Sequence, residues 1–271
     1  MFNFCSISSS SSGNSLLVQS DKANILIDIG ISLKKLQLEL SKINLTLDDI
    51  SGILITHEHL DHCKSITSIC KKHSNIPLYI NKPTYSALQD IYKIESSNVH
   101  YINENETFLI EDLSITPFSI PHDAISPCGY TICKDNRKIS IATDMGLVTD
   151  TVINAISNSD FVFIESNYET EMLNTCSYPY YIKRRISSNT GHLSNVQCSD
   201  MISKLVSNNT THFMLGHLSK ENNSPDLALK TVESTLLCNN ISLDKISLSV
   251  ASKDELSNIV NLENIKSIVT S

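Results

Sequence analysis

The sequence contains no tryptophan, and phenylalanine and tyrosine bring the aromatic share to only 6%. Its core must therefore be built mainly from aliphatic side chains. Charged residues amount to 18%, below the usual quarter, so solubility rests largely on the abundant Asn and Ser. Lys and Arg number 21 against 29 Asp and Glu, for a formal charge of −8. That balance excludes a generally basic nucleic-acid coat and leaves room only for a local basic site. Apolar runs are short, such as 53–55 and 161–164, far from the roughly 20 residues needed to cross a bilayer, so no membrane partner is expected. The opening MFNFCSISSSSSGN has no basic region and no apolar stretch of signal length, which reads as a cytoplasmic protein. None of the eight cysteines forms a C-x-x-C pair. Zinc-ribbon and thioredoxin-type sites are excluded on that ground, and the cysteines read as reduced, mostly buried thiols.

What is present fits a single domain over residues 1–271, long enough for one sizeable core. Short apolar runs ending in Gly, Asp, Asn or His alternate with helical-period stretches, the pattern of a layered α/β fold. Strands are predicted over 2–7, 15–19, 24–28, 52–56, 78–80, 113–119, 129–133, 139–142, 161–165, 212–215 and 246–249. Helices are predicted over 33–43, 61–72, 84–92, 147–157, 179–186, 195–207 and 225–239. The Ser8 to Ser12 run, followed by Gly13-Asn14, reads as a tight hairpin turn. Only seven glycines occur, and five of them (Gly13, Gly30, Gly146, Gly191, Gly216) stand where a predicted strand meets a loop beside a polar residue. Glycine there permits a sharp turn or a close backbone approach.

Three of the nine histidines fall within six residues, His57-Glu58-His59-Leu60-Asp61-His62. This H-x-H-x-D-H run follows the apolar Ile53-Leu54-Ile55, so it lies at a strand's carboxyl end, where α/β sheets bind ligands. Extended geometry past Thr56 would point His57 and His59 the same way, while Asp61 and His62 open the next helix and face a second cation. Four such donors suit a two-metal centre. The rival H-E-x-x-H zinc motif fails because position 61 is Asp. Further ligands are expected at later strand ends: His122, Asp144 and His217. A carboxylate can bridge two metals whereas one imidazole nitrogen cannot, so Asp144 is the expected bridge. Site one is then His57, His59 and His122, and site two Asp61, His62 and His217.

The order of these residues, with Asp28 after an early apolar strand, resembles the metallo-β-lactamase-fold metallohydrolases over almost the whole chain. Within them, Ser11-Ser12-Gly13-Asn14, Thr56 to His62, Pro121-His122-Asp123-Ala124, Glu165-Ser166-Asn167, residues 182–186 and Thr190 to Asn195 resemble the WalJ/YycJ-type group. The chain departs from that group in Tyr168, where the group often has His, and in Ser10, where it tends to have Gly. Tyr168 is accordingly given no metal role. The resemblance implies a four-layer αββα sandwich with the metal site at the edge of the two sheets. It also implies phosphodiesterase or exodeoxyribonuclease activity, with a metal-bridging hydroxide as nucleophile. Two divalent ions are expected, zinc first, with manganese or iron as alternatives, and a nucleic-acid substrate, DNA ahead of RNA. His192 is the expected catalytic residue beyond the ligands, protonating the leaving oxygen or stabilising transition-state charge. Lys183, Arg184 and Arg185, the only run of three basic residues, are expected to grip phosphate. Asp28 is expected to orient a ligand from behind. The competing functions are hydrolysis of a thioester or other acyl substrate on the same centre, and a non-catalytic regulatory module that keeps metal for stability.

Overall fold

The computed structural model describes residues 1–95 and 97–265. The chain opens with β1 (Phe2–Ser8), β2 (Ser15–Ser20), β3 (Asn24–Ile27), α1 (Leu33–Ser41), β4 (Gly52–Leu54), α2 (Leu60–Cys63), α3 (Ile66–Lys72), β5 (Leu78–Ile80), α4 (Lys82–Tyr92) and β6 (Val99–Tyr101). It continues with β7 (Phe108–Ile110), β8 (Leu113–Ser119), β9 (Cys128–Lys134), β10 (Arg137–Ala142), α5 (Asp150–Ile156), β11 (Phe161–Glu165), α6 (Thr170–Thr175), α7 (Tyr180–Ile186), α8 (Asn195–Ser207), β12 (His212–Gly216), α9 (Pro225–Cys238), β13 (Ser247–Val250) and β14 (Val260–Asn261).

These strands form two seven-stranded sheets, ordered β14-β1-β2-β3-β4-β5-β6 and β13-β12-β11-β10-β9-β8-β7. Strands β3 to β6 run parallel in the first sheet, as do β10 to β13 in the second. One apolar layer lies between the sheets, where the Phe4 ring meets Phe161 at 4.8 Å and Phe163 at 5.4 Å between centroids. A second layer packs the outer face of the first sheet against α1, α3 and α4 through Leu36, Ile69 and Leu88. A third packs the second sheet against α5, α8 and α9 through Val152, Ile202 and Val232. Two sheets, each hydrophobic on both faces and covered by helices, give the αββα order.

The seam between the sheets is closed at one end by β9, whose Tyr130 hydroxyl donates to the Ile55 carbonyl at 2.6 Å. The Cys128 amide also donates to the Thr56 carbonyl at 3.1 Å. The loops after β3, β4, β8, β10, β11 and β12 gather at this end.

Several expected elements differ in extent. The helix expected over 61–72 is two helices, because the Ser65 amide donates to the Ile29 carbonyl, outside the helical ladder, at 3.0 Å. The helix expected from Leu147 begins at Asp150, where the Thr149 side chain caps it. The strand expected to reach Asp28 stops at Ile27, since Asp28 has φ 61°. Strands β6, β7 and β14 and helix α6 carry no expectation from the sequence. Each is six residues or fewer, too short for a periodic signal. Ser9 to Asn14 form the turn of the β1–β2 hairpin, as the poly-serine run suggests.

Candidate metal centre

Six loops meet at the closed end of the seam, and each carries a polar side chain inward. From the first sheet come Asp28 after β3 and the His57 to His62 run after β4. From the second come His122 after β8, Asp144 after β10, Glu165 at the end of β11 and His217 after β12. Three of these, Asp28, Asp144 and His217, have left-handed backbone with φ of 61°, 62° and 55°. Non-glycine residues hold that conformation where surrounding structure enforces it, and such positions concentrate at functional sites. The glycines serve a different need, since none has positive φ. A Cβ on Gly30 would lie 1.6 Å from the Asp61 carbonyl oxygen, and one on Gly216 would lie 2.1 Å from the Phe163 ring. They permit close approach, and the sharp turns fall to Asp and His.

Donor atoms from His57, His59 and His122 lie within 4.8 Å of one another, as do those of Asp61, His62 and His217, of His57, His62 and Asp144, and of Asp144, Glu165, His192 and His217. Asp144 stands between the groups. Its Oδ2 is 3.2 Å from His62 Nε2, and its Oδ1 is 3.3 Å from His217 Nε2 and 3.8 Å from His122 Nε2. The structure thus brings together all seven residues expected as ligands, with His192 beside them. It does not bring the whole basic triplet into the same space.

Five of the six imidazoles, all but His59, are anchored by an outer nitrogen. His62 Nδ1 donates to Asp28 Oδ2 at 2.7 Å. His57 Nδ1 lies 3.0 Å from Thr56 Oγ1, which itself donates to Asp28 Oδ2 at 2.8 Å. Asp28 therefore fixes two histidines at once. His122 Nδ1 donates to the Gly191 carbonyl at 3.1 Å, which leaves Nε2 as the lone-pair nitrogen facing His59 Nδ1 at 3.2 Å. On the other side, Glu165 Oε1 accepts from His192 Nδ1 at 2.7 Å and His217 Nδ1 at 2.9 Å. Outer-nitrogen anchoring of this kind sets tautomer and ring orientation in metal sites.

Two inner atoms lack such partners. His57 Nε2 and Asp144 Oδ2 are buried and make no hydrogen bond; the His62 nitrogen near Asp144 Oδ2 does not point at it well enough to donate. An unpaired buried polar atom costs about 1–3 kcal/mol, and two on residues whose donor atoms lie within 4.8 Å of each other fit a missing electrophile. Nitrogen and carboxylate donors in this mixture suit a divalent ion of the zinc, manganese or iron kind. The donor set therefore fits divalent metals.

Charge follows the same division. Burial, with the neighbouring His62, holds His57 well below the ordinary histidine value, and burial lowers His122 too. Both present neutral imidazoles. Burial works against protonating His62 and His217, but facing carboxylates win. Asp144, Asp61 and Asp28 hold His62 well above the ordinary value, and Asp144, Asp61 and Glu165 push His217 up to about 10. Burial likewise opposes ionising Asp144, yet His217 and His62 hold it far down. A cation entering here would displace protons from His62 and His217.

The basic triplet is divided. Arg185 is spent on Asp123, with Nε 2.5 Å from Oδ2 and Nη2 3.1 Å from Oδ1. That Asp123 oxygen Oδ1 lies 3.4 Å from His122 Nε2. Lys183 donates to the Asn174 carbonyl at 2.7 Å, and Arg184 lies with it on a separate cleft. Sequence reasoning gave no role to Glu165, Asn14 or Asp123. Glu165 is fully buried, and its signal was an acid closing the apolar strand 161–164. Asn14 Nδ2 lies 3.4 Å from Asp61 Oδ2 and 3.2 Å from His62 Nε2, a contact across 47 residues that no local pattern announces.

Residues 23–217 match the β-lactamase superfamily domain. The chain belongs to the metallo-β-lactamase superfamily. Within it, the chain is 36% identical over 238 residues to the exodeoxyribonuclease WalJ of Streptococcus pneumoniae, covering 87% of this chain and 88% of that one. It is 33% identical over 235 residues to the exodeoxyribonuclease YycJ of Bacillus anthracis, covering 86% and 89%. The fold matches the metallo-β-lactamase fold protein YhfI of Bacillus subtilis with a TM-score of 0.71 at 13% identity, over 95% of this chain and 100% of that one. The Zn(2+)-bound PqqB of Methylobacterium extorquens matches at 0.68 and 16% identity, over 94% and 99%. Among the described residues, no helix is long and apolar enough to cross a membrane.

Proposed function

We propose that this chain is a metal-dependent phosphodiesterase that removes nucleotides from the ends of DNA, acting as one domain on two divalent cations. The observation that carries the reading is the pair of buried, unpartnered atoms, His57 Nε2 and Asp144 Oδ2, set among imidazoles of which all but His59 have their other nitrogen fixed. Relatives named as exodeoxyribonucleases over most of both chains support the substrate. His57, His59 and His122 would hold one cation, Asp61, His62 and His217 the other, and Asp144 both. Zinc is the first candidate, with manganese and iron as alternatives. Such cations supply Lewis acidity at the phosphoryl group and a nucleophilic water at neutral pH.

The chain's own residues do the rest. With Nδ1–H committed to Glu165, His192 in its imidazolium form has a second proton, on Nε2, to give to the leaving oxygen, a task worth about 10²- to 10⁴-fold. Glu165 holds that ring and His217 in one frame. Asp28 sets His57 and His62 through Thr56 and directly. Lys183 and Arg184 meet the phosphates of the strand beyond the scissile bond, and Arg185, through Asp123, keeps α7 against the centre. Eight free thiols suit a reducing, cytoplasmic setting.

Metal analysis of protein purified without chelator, paired with turnover of labelled duplex DNA, RNA, bis-p-nitrophenyl phosphate and a thioester, tests the reading. Bound divalent metal with release of nucleotides from DNA ends is the expected result. Faster turnover of the thioester, or metal without hydrolysis of any substrate, would overturn it.

A further inference from the structure

Helix α7 has no buried residue, and its first two side chains, Tyr180 and Tyr181, are 77% and 70% exposed. This is out of character for the chain, in which every phenylalanine is wholly or partly buried. Asn174, Tyr178, Tyr180, Lys183, Arg184 and Ser187 line a cleft of about 340 Å³, within the size range of small-molecule sites. Lys183 and Arg184 follow Tyr180 by three and four positions, so all three share one helix face. Among the described residues, the Arg184 side chain makes no ion pair or hydrogen bond, a free cation in a chain of net charge −8.

The opposite side of the same helix is fastened to the metal centre. Arg185 grips Asp123, and the Ile186 carbonyl accepts from the His192 amide at 2.9 Å. Seven helical residues span about 10 Å, which matches some three nucleotide rises of about 3.4 Å. A strand with its scissile phosphate at His192 would reach this cleft if it ran along α7.

Resting on the nuclease reading above, we propose that the cleft between Tyr178 and Tyr180 holds an unpaired base of the substrate strand, with Arg184 on the adjoining phosphate. Aromatic faces receive any base, so the site selects for a splayed or single-stranded end and not for sequence. Duplex bases are stacked on both faces and cannot enter.

The test uses the full-length protein and a fluorescent single-stranded oligonucleotide with phosphorothioate linkages that resist cleavage, beside the same strand carrying abasic sites at its terminal positions. Anisotropy titrations should show the wild type binding the base-bearing strand roughly 5- to 150-fold more tightly. Tyr180→Ala should abolish that ratio and Tyr180→Phe should preserve it. Arg184→Ala should weaken both strands alike and lower the salt slope by about one. Equal binding of the two strands by the wild type, or an undiminished ratio in Tyr180→Ala, overturns the base site. If such a protein still degrades DNA, the nuclease reading stands alone; if it neither binds nor degrades any strand, both fall.

Discussion

Glu165 Oε1 accepts a hydrogen bond from His192 Nδ1 at 2.7 Å. The same oxygen serves His217, while Oε2 accepts from the Met145 and Leu193 amides at 2.9 Å and 3.2 Å. All four bonds need an acceptor. In Glu165→Gln, whichever way the amide turns, its NH₂ group meets two N–H donors inside a buried site. The expected result is about 1–3 kcal/mol of lost stability and a roughly 10- to 100-fold loss of metal affinity, read by thermal melts and competition with a chelator. Unchanged metal affinity in a folded Glu165→Gln protein would remove Glu165 from the site's support.

Asp144 and His192 should separate cleanly. Asp144→Ala removes the carboxylate placed between the two donor groups and is expected to lose metal and activity together. His192→Ala is expected to keep its metal and lose turnover by about 10²- to 10⁴-fold. Elemental analysis beside a nuclease assay distinguishes them. Normal cleavage by the Asp144 variant contradicts the bridging role, and metal loss from the His192 variant makes that residue a ligand.

Gly30 touches no donor atom, yet its substitution is expected to disturb the centre. A Cβ there would sit against the backbone oxygen of Asp61, which cannot swing aside as a side chain could. Gly30→Ala should cost about 1–3 kcal/mol as overpacking and lower metal content by moving Asp61. A variant with wild-type melting temperature and metal content would show that the two loops are less tightly joined.

Buried thiols predict an alkaline limit. Burial pushes Cys5 and Cys128 up to about 12 and Cys70 to about 11, and raises Cys198 also. Above about pH 8.5, thiols of the unfolded chain ionise while these stay protonated, so the folded chain binds more protons and stability falls as pH rises. For Cys128 and Cys198, both fully enclosed, the loss is about 3 kcal/mol together per pH unit. Calorimetry between pH 8 and pH 10 should show a falling midpoint, with a shallower fall for Cys128→Ala; a flat profile would count against enclosed thiols.

How far these features were legible depended on whether their cause was local. The H-x-H-x-D-H run and the strands before His122, Asp144 and His217 are each written within a few residues, because apolar runs and their polar ends are short-range patterns. The split of the helix expected over 61–72 was hidden, since its cause is the carbonyl of Ile29. Glu165 was hidden as a role although visible as a residue, for its four partners come from residues 145, 192, 193 and 217. The glycines were found at the right loops for a reason only half right: close approach explains them, and the left-handed turns went to Asp28, Asp144 and His217. Arg185 read as a phosphate grip because its neighbours in sequence are basic, whereas its neighbour in space is Asp123.

The donors do not come from one half of the sandwich. Asp61 and the histidines of 57–62 hang from the first sheet, and His122, Asp144 and His217 from the second. A centre divided in this way behaves as a rivet through two plates. Neither plate alone retains a usable pocket, so fragments, permutations or insertions that let the sheets slide should abolish the chemistry outright, with no partial version surviving in either piece.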